Sequence, residues 1–95
     1  ETMICDTIKA LRDSIGISQS ELARRIGVTR SSVNAWEMGL SVPTAQYIVE
    51  LSQLFHVTSD YLLGLSEQET FCMDSFTNQQ KRLLYEVIKY FEQEK

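Results

Sequence analysis

The stretch "SQSELARRIGVTRSSVNAWEMG", residues 18–39, constrains the fold of this chain more than any other segment. Two short helix-like runs meet at a single glycine with almost nothing between them. Ser18 followed three residues later by Glu21 is the capping-box pattern that opens a helix. Leu22, Ala23 and Ile26 give that helix a buried side, and Gly27 supplies the left-handed stop that a β-carbon would penalise. Thr29 caps the next helix, whose inward residues are Val33 and Trp36. The rest of that second run, "TRSSVNAWE", is polar for the middle of a small domain.

Helical periodicity extends in both directions. Ile4, Ile8, Leu11 and Ile15 form an apolar stripe over about residues 3–15, closed by Gly16. Pro43 bars a helix from running through the turn at 39–43. A fourth helix is expected over about 44–55, packing through Tyr47, Ile48, Leu51, Leu54 and Phe55. Thr58 or Ser59 caps a short fifth one, "DYLL", closed by Gly64. Residues 65–76 contain Leu65, Phe71, Met73 and Phe76, whose apolar side chains predict a docked extended segment or a lone strand. Thr77 with Gln80 forms another capping box, and a last helix runs to about 93. Its stripe of Leu83, Leu84, Val87, Ile88 and Phe91 is the cleanest amphipathic signal in the chain. The expectation is an all-α fold: a compact five-helix domain over 1–64, a connecting segment over 65–76, and a C-terminal amphipathic helix over 77–95.

Ninety-five residues with 43% hydrophobic content suit one compact domain. No apolar run approaches the roughly 20 residues of a membrane span, and a secretory leader is not expected from an acidic, soon helical N-terminus. Cys5 and Cys72 lack metal-ligand spacing, and with a single histidine the chain offers no structural zinc set. Reduced thiols in a cytoplasmic protein are the expectation. The net charge of −4 is unevenly spread. Residues 1–45 are balanced, with Lys9, Arg12, Arg24, Arg25 and Arg30 against Glu1, Asp6, Asp13, Glu21 and Glu37, so the whole deficit lies in the C-terminal half.

At about 100° per residue, with Val33 at zero, Trp36 falls near 300° and the core direction near 330°. The opposite face then holds Ser31, Met38, Asn34 and Ala35, with Arg30 reaching past the first turn. That face is small, hydrogen-bonding and free of acid. Glu37 falls near 40°, on the core side, where a carboxylate needs a partner. Arg12, at the edge of the first helix's stripe, is the expected partner in a partly buried ion pair.

Residues 4–64, through "SQSELARRIGVTRSSVNAWEMG" and "VPTAQYIVELSQLFHVTSDYLLG", resemble the lambda-repressor-like helix-turn-helix family of phage repressors and Cro proteins, also called the xenobiotic-response-element type. The resemblance rests on Gln19, Ala23, Gly27, Val33, Trp36 and Glu37 standing where that family places them. It implies a homodimer on a near-palindromic double-stranded DNA operator, with the third helix in the major groove and the second spanning the backbone. Carried over by position, Arg30, Ser31, Asn34 and Ala35 face bases: Arg30 would pair a guanine, Asn34 an adenine, and Ala35 a thymine methyl. Gln19, with backbone N–H groups at the start of its helix, would hold a phosphate, and Thr29, Ser32, Ser41 and Thr44 are further phosphate candidates. This chain departs from the family at Met38 and Leu40, where many relatives carry basic residues, and at His56, where glycine is usual. Histidine tolerates positive φ better than most residues, so a helix cap is its expected role.

Arg24 and Arg25 lie late in the second helix and are read as a solvated face. The C-terminal stripe either folds back on its own domain or pairs with its twin across a two-fold axis. The resulting function is a sequence-specific DNA-binding transcriptional regulator of the repressor kind, with no cofactor and no small-molecule ligand. The alternative is a protein-interaction module on the same fold, an antitoxin or adaptor, favoured by the acidic second half and the apolar last helix. An enzyme is disfavoured by the single histidine, the lack of a paired nucleophile and base, and the lack of a glycine-rich phosphate loop.

Overall fold

The computed structural model describes residues 3–66 and 76–93. Six helices follow one another: α1 (Ile4–Ser14), α2 (Gln19–Ile26), α3 (Arg30–Glu37), α4 (Ala45–Phe55), α5 (Ser59–Leu62) and α6 (Asn78–Gln93). Among the described residues there is no strand. The all-α expectation is borne out; the expected lone strand and the burial of Phe71 and Met73 fall on residues outside those described.

Local chemistry sets the helix ends. Ser18 Oγ accepts the Glu21 N–H at 3.0 Å, Thr29 Oγ1 accepts the Ser32 N–H at 3.1 Å, and Thr58 Oγ1 accepts the Tyr61 N–H at 3.0 Å. Each satisfies one of the orphan donors at a helix start. At α6 the box closes both ways: Gln80 N–H donates to Thr77 Oγ1 and Thr77 N–H to Gln80 Oε1. At α2 it closes one way only, because the Glu21 carboxylate turns to Arg24 and Arg25 instead. Gly27 takes φ 77° at the end of α2 and donates its N–H back to the Ala23 carbonyl. Open space surrounds the position of its missing β-carbon, so the demand for glycine there is conformational, not steric. His56 does the same work at the end of α4 with φ 57°, and its ring stacks on Phe76 with centroids 4.1 Å apart. The expected capping role of this histidine holds in its backbone.

The core gathers one face of each of the first five helices. Ile8, Leu22, Val33, Leu51 and Leu62 are fully buried, with Leu11, Ala23, Ile26, Trp36, Ile48, Phe55 and Val57 around them. Removing each large apolar side chain from water contributes roughly 1.5–3 kcal/mol. α2 and α3 pack closely on one another, α1 lies against α3 and α5, and α4 touches α2 and α5. Trp36 meets Tyr47 of α4 at a tilted 5.8 Å, which ties α3 to the helix after the turn.

Two core expectations are corrected. Ile15 is exposed, because α1 ends at Ser14 and the cap residue leaves the helical path. Leu65 is also exposed; it lies beyond α5, where the backbone has already turned at Gly64. The larger departure is α6, which has no buried residue. Leu83, Val87, Ile88 and Phe91 are exposed and Leu84 is half-buried, so the stripe does not fold back onto α1–α5.

Candidate nucleic-acid interface

The site is built by clamping one side of α3. Val33 and Trp36 point into the core, so helical geometry turns the opposite side outward. Arg30, Ser31, Asn34 and Met38 are exposed there, as expected; Ala35, expected on the same face, is half-buried. It stands at the edge of the ridge, where its carbonyl accepts the N–H groups of Leu40 and Ser41 in the following turn. Arg30 and Ser31 make no side-chain hydrogen bond with the described residues, which leaves a guanidinium and a hydroxyl for an outside ligand. Helix N-termini add further donors. The N–H groups of Gln19 and Ser20, at the first turn of α2, find no intrahelical acceptor.

The expected phosphate residues differ in how free they are. Thr44 precedes α4 without capping it, and Ser41 is exposed; both hydroxyls remain outside the described hydrogen bonds. Thr29 and Ser32 are already engaged with one another, their hydroxyls 3.0 Å apart. Gln19 is the most committed. Its Nε2 donates to Glu37 Oε1 at 3.1 Å and to Asn34 Oδ1 at 3.3 Å. A side-chain amide nitrogen carries two N–H groups, so none remains for a phosphate, and contact at this residue falls to its backbone N–H.

Beneath this surface lies the ion pair expected between Arg12 and Glu37. Arg12 Nε donates to Glu37 Oε2 at 2.7 Å and its second terminal nitrogen to Oε1 at 3.0 Å. The other terminal nitrogen donates to the Ile17 carbonyl at 2.8 Å. The two side chains are 11% and 3% exposed, so the pair is desolvated and rests on its bidentate geometry. Burial pushes the Glu37 carboxyl up, but the bonds from Arg12 and Gln19 and the charges of Arg12 and Lys9 outweigh it, and the group is held below its usual value. The bond to Glu37 raises Arg12 in turn, against the opposing pull of burial.

Sequence reasoning missed the bridge from Gln19 to Glu37 and Asn34. The signal was present: a glutamine one residue after the Ser18 cap faces whatever α3 places opposite it. Arg24 and Arg25 both bind Glu21, hold its carboxyl below the usual range, and form a self-neutralising surface cluster. Their reading as a solvated face stands. Among the described residues no cluster of His, Cys, Asp and Glu is suited to a metal, and no helix is long and apolar enough to cross a membrane.

The fold and this geometry have relatives. The Helix-turn-helix family model matches residues 8–62. The chain is 32% identical over 65 residues to the HTH-type transcriptional regulator YobD of Bacillus subtilis, covering 68% of this chain and 58% of that protein. It is 29% identical over 82 residues to the SPbeta prophage-derived regulator YonR of the same organism, covering 86% and 75%. The chain spans about three-fifths of the length of YobD and of a second B. subtilis regulator, YqaE. Among solved structures, the P22 c2 repressor in complex with a synthetic operator superposes with a TM-score of 0.64 at 27% identity, covering 66% of this chain and 96% of that one. SinR, solved in complex with SinI, gives a TM-score of 0.63 at 26% identity and covers 96% and 89%. A match spanning more than half the chain, across the same α1–α5 core that presents the ridge on α3, places this protein in the helix-turn-helix family.

Proposed function

We propose that the protein is a sequence-specific DNA-binding transcriptional regulator of the repressor kind, working in the cytoplasm as a homodimer on a near-palindromic operator. One observation carries this reading: α3 is locked by Val33 and Trp36 on one side and offers Arg30, Ser31 and Asn34, acid-free, on the other. Such a ridge fits a major groove, whose base edges carry the donors and acceptors these side chains match. The free N–H groups at the start of α2 suit a backbone phosphate beside it. The repressors among its structural relatives, one of them solved on its operator, support the same assignment. No enzyme activity is proposed.

Selection from a random DNA pool with purified protein, followed by footprinting of the enriched sites, tests the reading. Two protected patches about 34 Å apart on one face are expected. Arg30→Ala should relax the preference for one base by about 1–3 kcal/mol. A protein that enriches no sequence is not an operator reader.

The exposed face of α6 favours a second reading, in which a protein is the main ligand. Phe76, Gln80, Leu83, Leu84 and Val87 line an open apolar hollow of about 260 Å³ there, and SinR is a structural relative solved with a protein partner. We assign that face to the twin subunit, because two half-sites need two recognition helices in fixed relation.

A further inference from the structure

The hydrogen bonds around Gln19 form a chain whose polarity is forced at each link. Arg12 can only donate, so both oxygens of Glu37 accept. An ionised carboxylate has no proton to give, so the atom of Gln19 facing Glu37 Oε1 at 3.1 Å must be its nitrogen. That same nitrogen faces the Asn34 side chain at 3.3 Å, so the Asn34 atom turned toward it must be its oxygen. Side-chain amides are ordinarily ambiguous, since nitrogen and oxygen can exchange places by a flip. Here the ambiguity is removed from below, by a charge pair buried between α1 and α3. Asn34 is exposed, yet its orientation is dictated by Arg12, which is not.

We infer that Gln19 is a positioning residue that holds the Asn34 amide with its oxygen inward and its nitrogen outward, so that α3 meets a base edge carrying two acceptors, guanine, at this point. The inference rests on the DNA reading above and refines it. An unconstrained asparagine pairs adenine by accepting from N6 while donating to N7. With Oδ1 drawn toward Gln19, the adenine pairing loses its acceptor, while the two N–H groups of Nδ2 match N7 and O6 of guanine. The adenine expected from family position is thereby replaced. The side chain at the start of α2 acts on base choice without touching a base, and it does so through an ion pair that otherwise serves only stability.

Selection from a random DNA pool with the wild type, Asn34→Ala, Gln19→Met and the double variant tests this. Thermal melting of each variant establishes that it is folded. The wild type is expected to enrich guanine at one position of each half-site, and Asn34→Ala to lose the preference there alone. Gln19→Met keeps the bulk but not the donors, and should move the guanine-to-adenine ratio at that position by on the order of tenfold toward adenine. That move should vanish when Asn34 is also alanine, which a merely structural role for Gln19 would not produce. Adenine at the Asn34 position in the wild type overturns the inference with no variant needed. An unchanged preference in folded Gln19→Met overturns it as well, with operator reading intact. If the wild type enriches nothing, the DNA reading falls and takes this inference with it.

Discussion

Arg12 and Glu37, 25 residues apart in the chain, meet through two parallel hydrogen bonds of 2.7 and 3.0 Å where α1 crosses α3. The contact joins the helix that starts the domain to the one that carries the ridge, and the guanidinium also closes the α1–α2 turn through the Ile17 carbonyl. Removing one partner strands the other as a buried charge. Arg12→Ala or Glu37→Ala should therefore each lower the unfolding free energy by about 3–5 kcal/mol, whereas Arg12→Met with Glu37→Leu should lose far less. Urea unfolding of the three variants checks this. A double variant as unstable as the sum of the singles would show that the site cannot accept apolar packing.

The same pair sets an acid limit. Glu37 is held below the ordinary carboxylate value when folded and returns to that value, about 4.3, when unfolded. Its contribution is complete above the unfolded value and is lost as pH falls through the depressed folded one. Stability should thus decline with pH from just above the ordinary carboxylate range downward, and Glu37→Gln should flatten that decline. Unfolding midpoints measured between pH 7 and pH 3 give the answer; an equally steep decline in Glu37→Gln would place the acid-sensitive group elsewhere. Glu21 is lowered in the same sense, but it is a surface cluster, and its share should be removed by moderate salt.

His56 offers a comparison of substitutions. At φ 57° a β-carbon is unfavourable by roughly 1–2 kcal/mol, and glycine escapes this. The imidazole stack on Phe76 at 4.1 Å offsets part of that strain, as ring pairs contribute about 0.5–1.5 kcal/mol. Alanine retains the strain and loses the stack, while glycine loses both. His56→Gly should therefore stay within about 1 kcal/mol of the wild type, and His56→Ala should be clearly less stable than either. Thermal melts order the three; alanine matching glycine would mean that the left-handed backbone is not retained.

How much of this was legible follows from the range of each interaction. Caps and stops are local, so Ser18, Gly27, Thr29, Thr58 and Thr77 with Gln80 could be read from spacing alone. The inward direction of Val33 and Trp36, and the outward direction of Ser31 and Asn34, needed only the helical period. The Arg12–Glu37 pair is long-range, yet a charge on a core-facing position of α3 demanded a partner and few candidates existed. Ile15 misled because a stripe says nothing about where the backbone leaves the helix. Gln19 misled because its spacing carries no sign of which nitrogen or oxygen waits across the helix crossing. The destiny of α6 was illegible for a different reason: an amphipathic stripe demands cover but does not name it.

That cover is the last expectation. The face of Leu83, Leu84, Val87, Ile88 and Phe91 is apolar and mostly exposed in one subunit, and α6 is too short for a stable coiled coil by itself. Our proposal pairs it with its twin, and antiparallel packing sets Lys81 near one end against Glu92 near the other, on the same flank of the helix. Val87→Lys with Phe91→Lys places like charges on that seam without touching the α1–α5 core. Sedimentation should show the variant as a monomer, with the melting of the core unchanged. Operator affinity should fall by about 10²–10⁴, the avidity that links two half-sites, while half-site preference is kept. A variant that still sediments as a dimer would assign the two-fold contact to another surface. One that is monomeric yet binds a full operator undiminished would mean that each subunit reads its half-site alone.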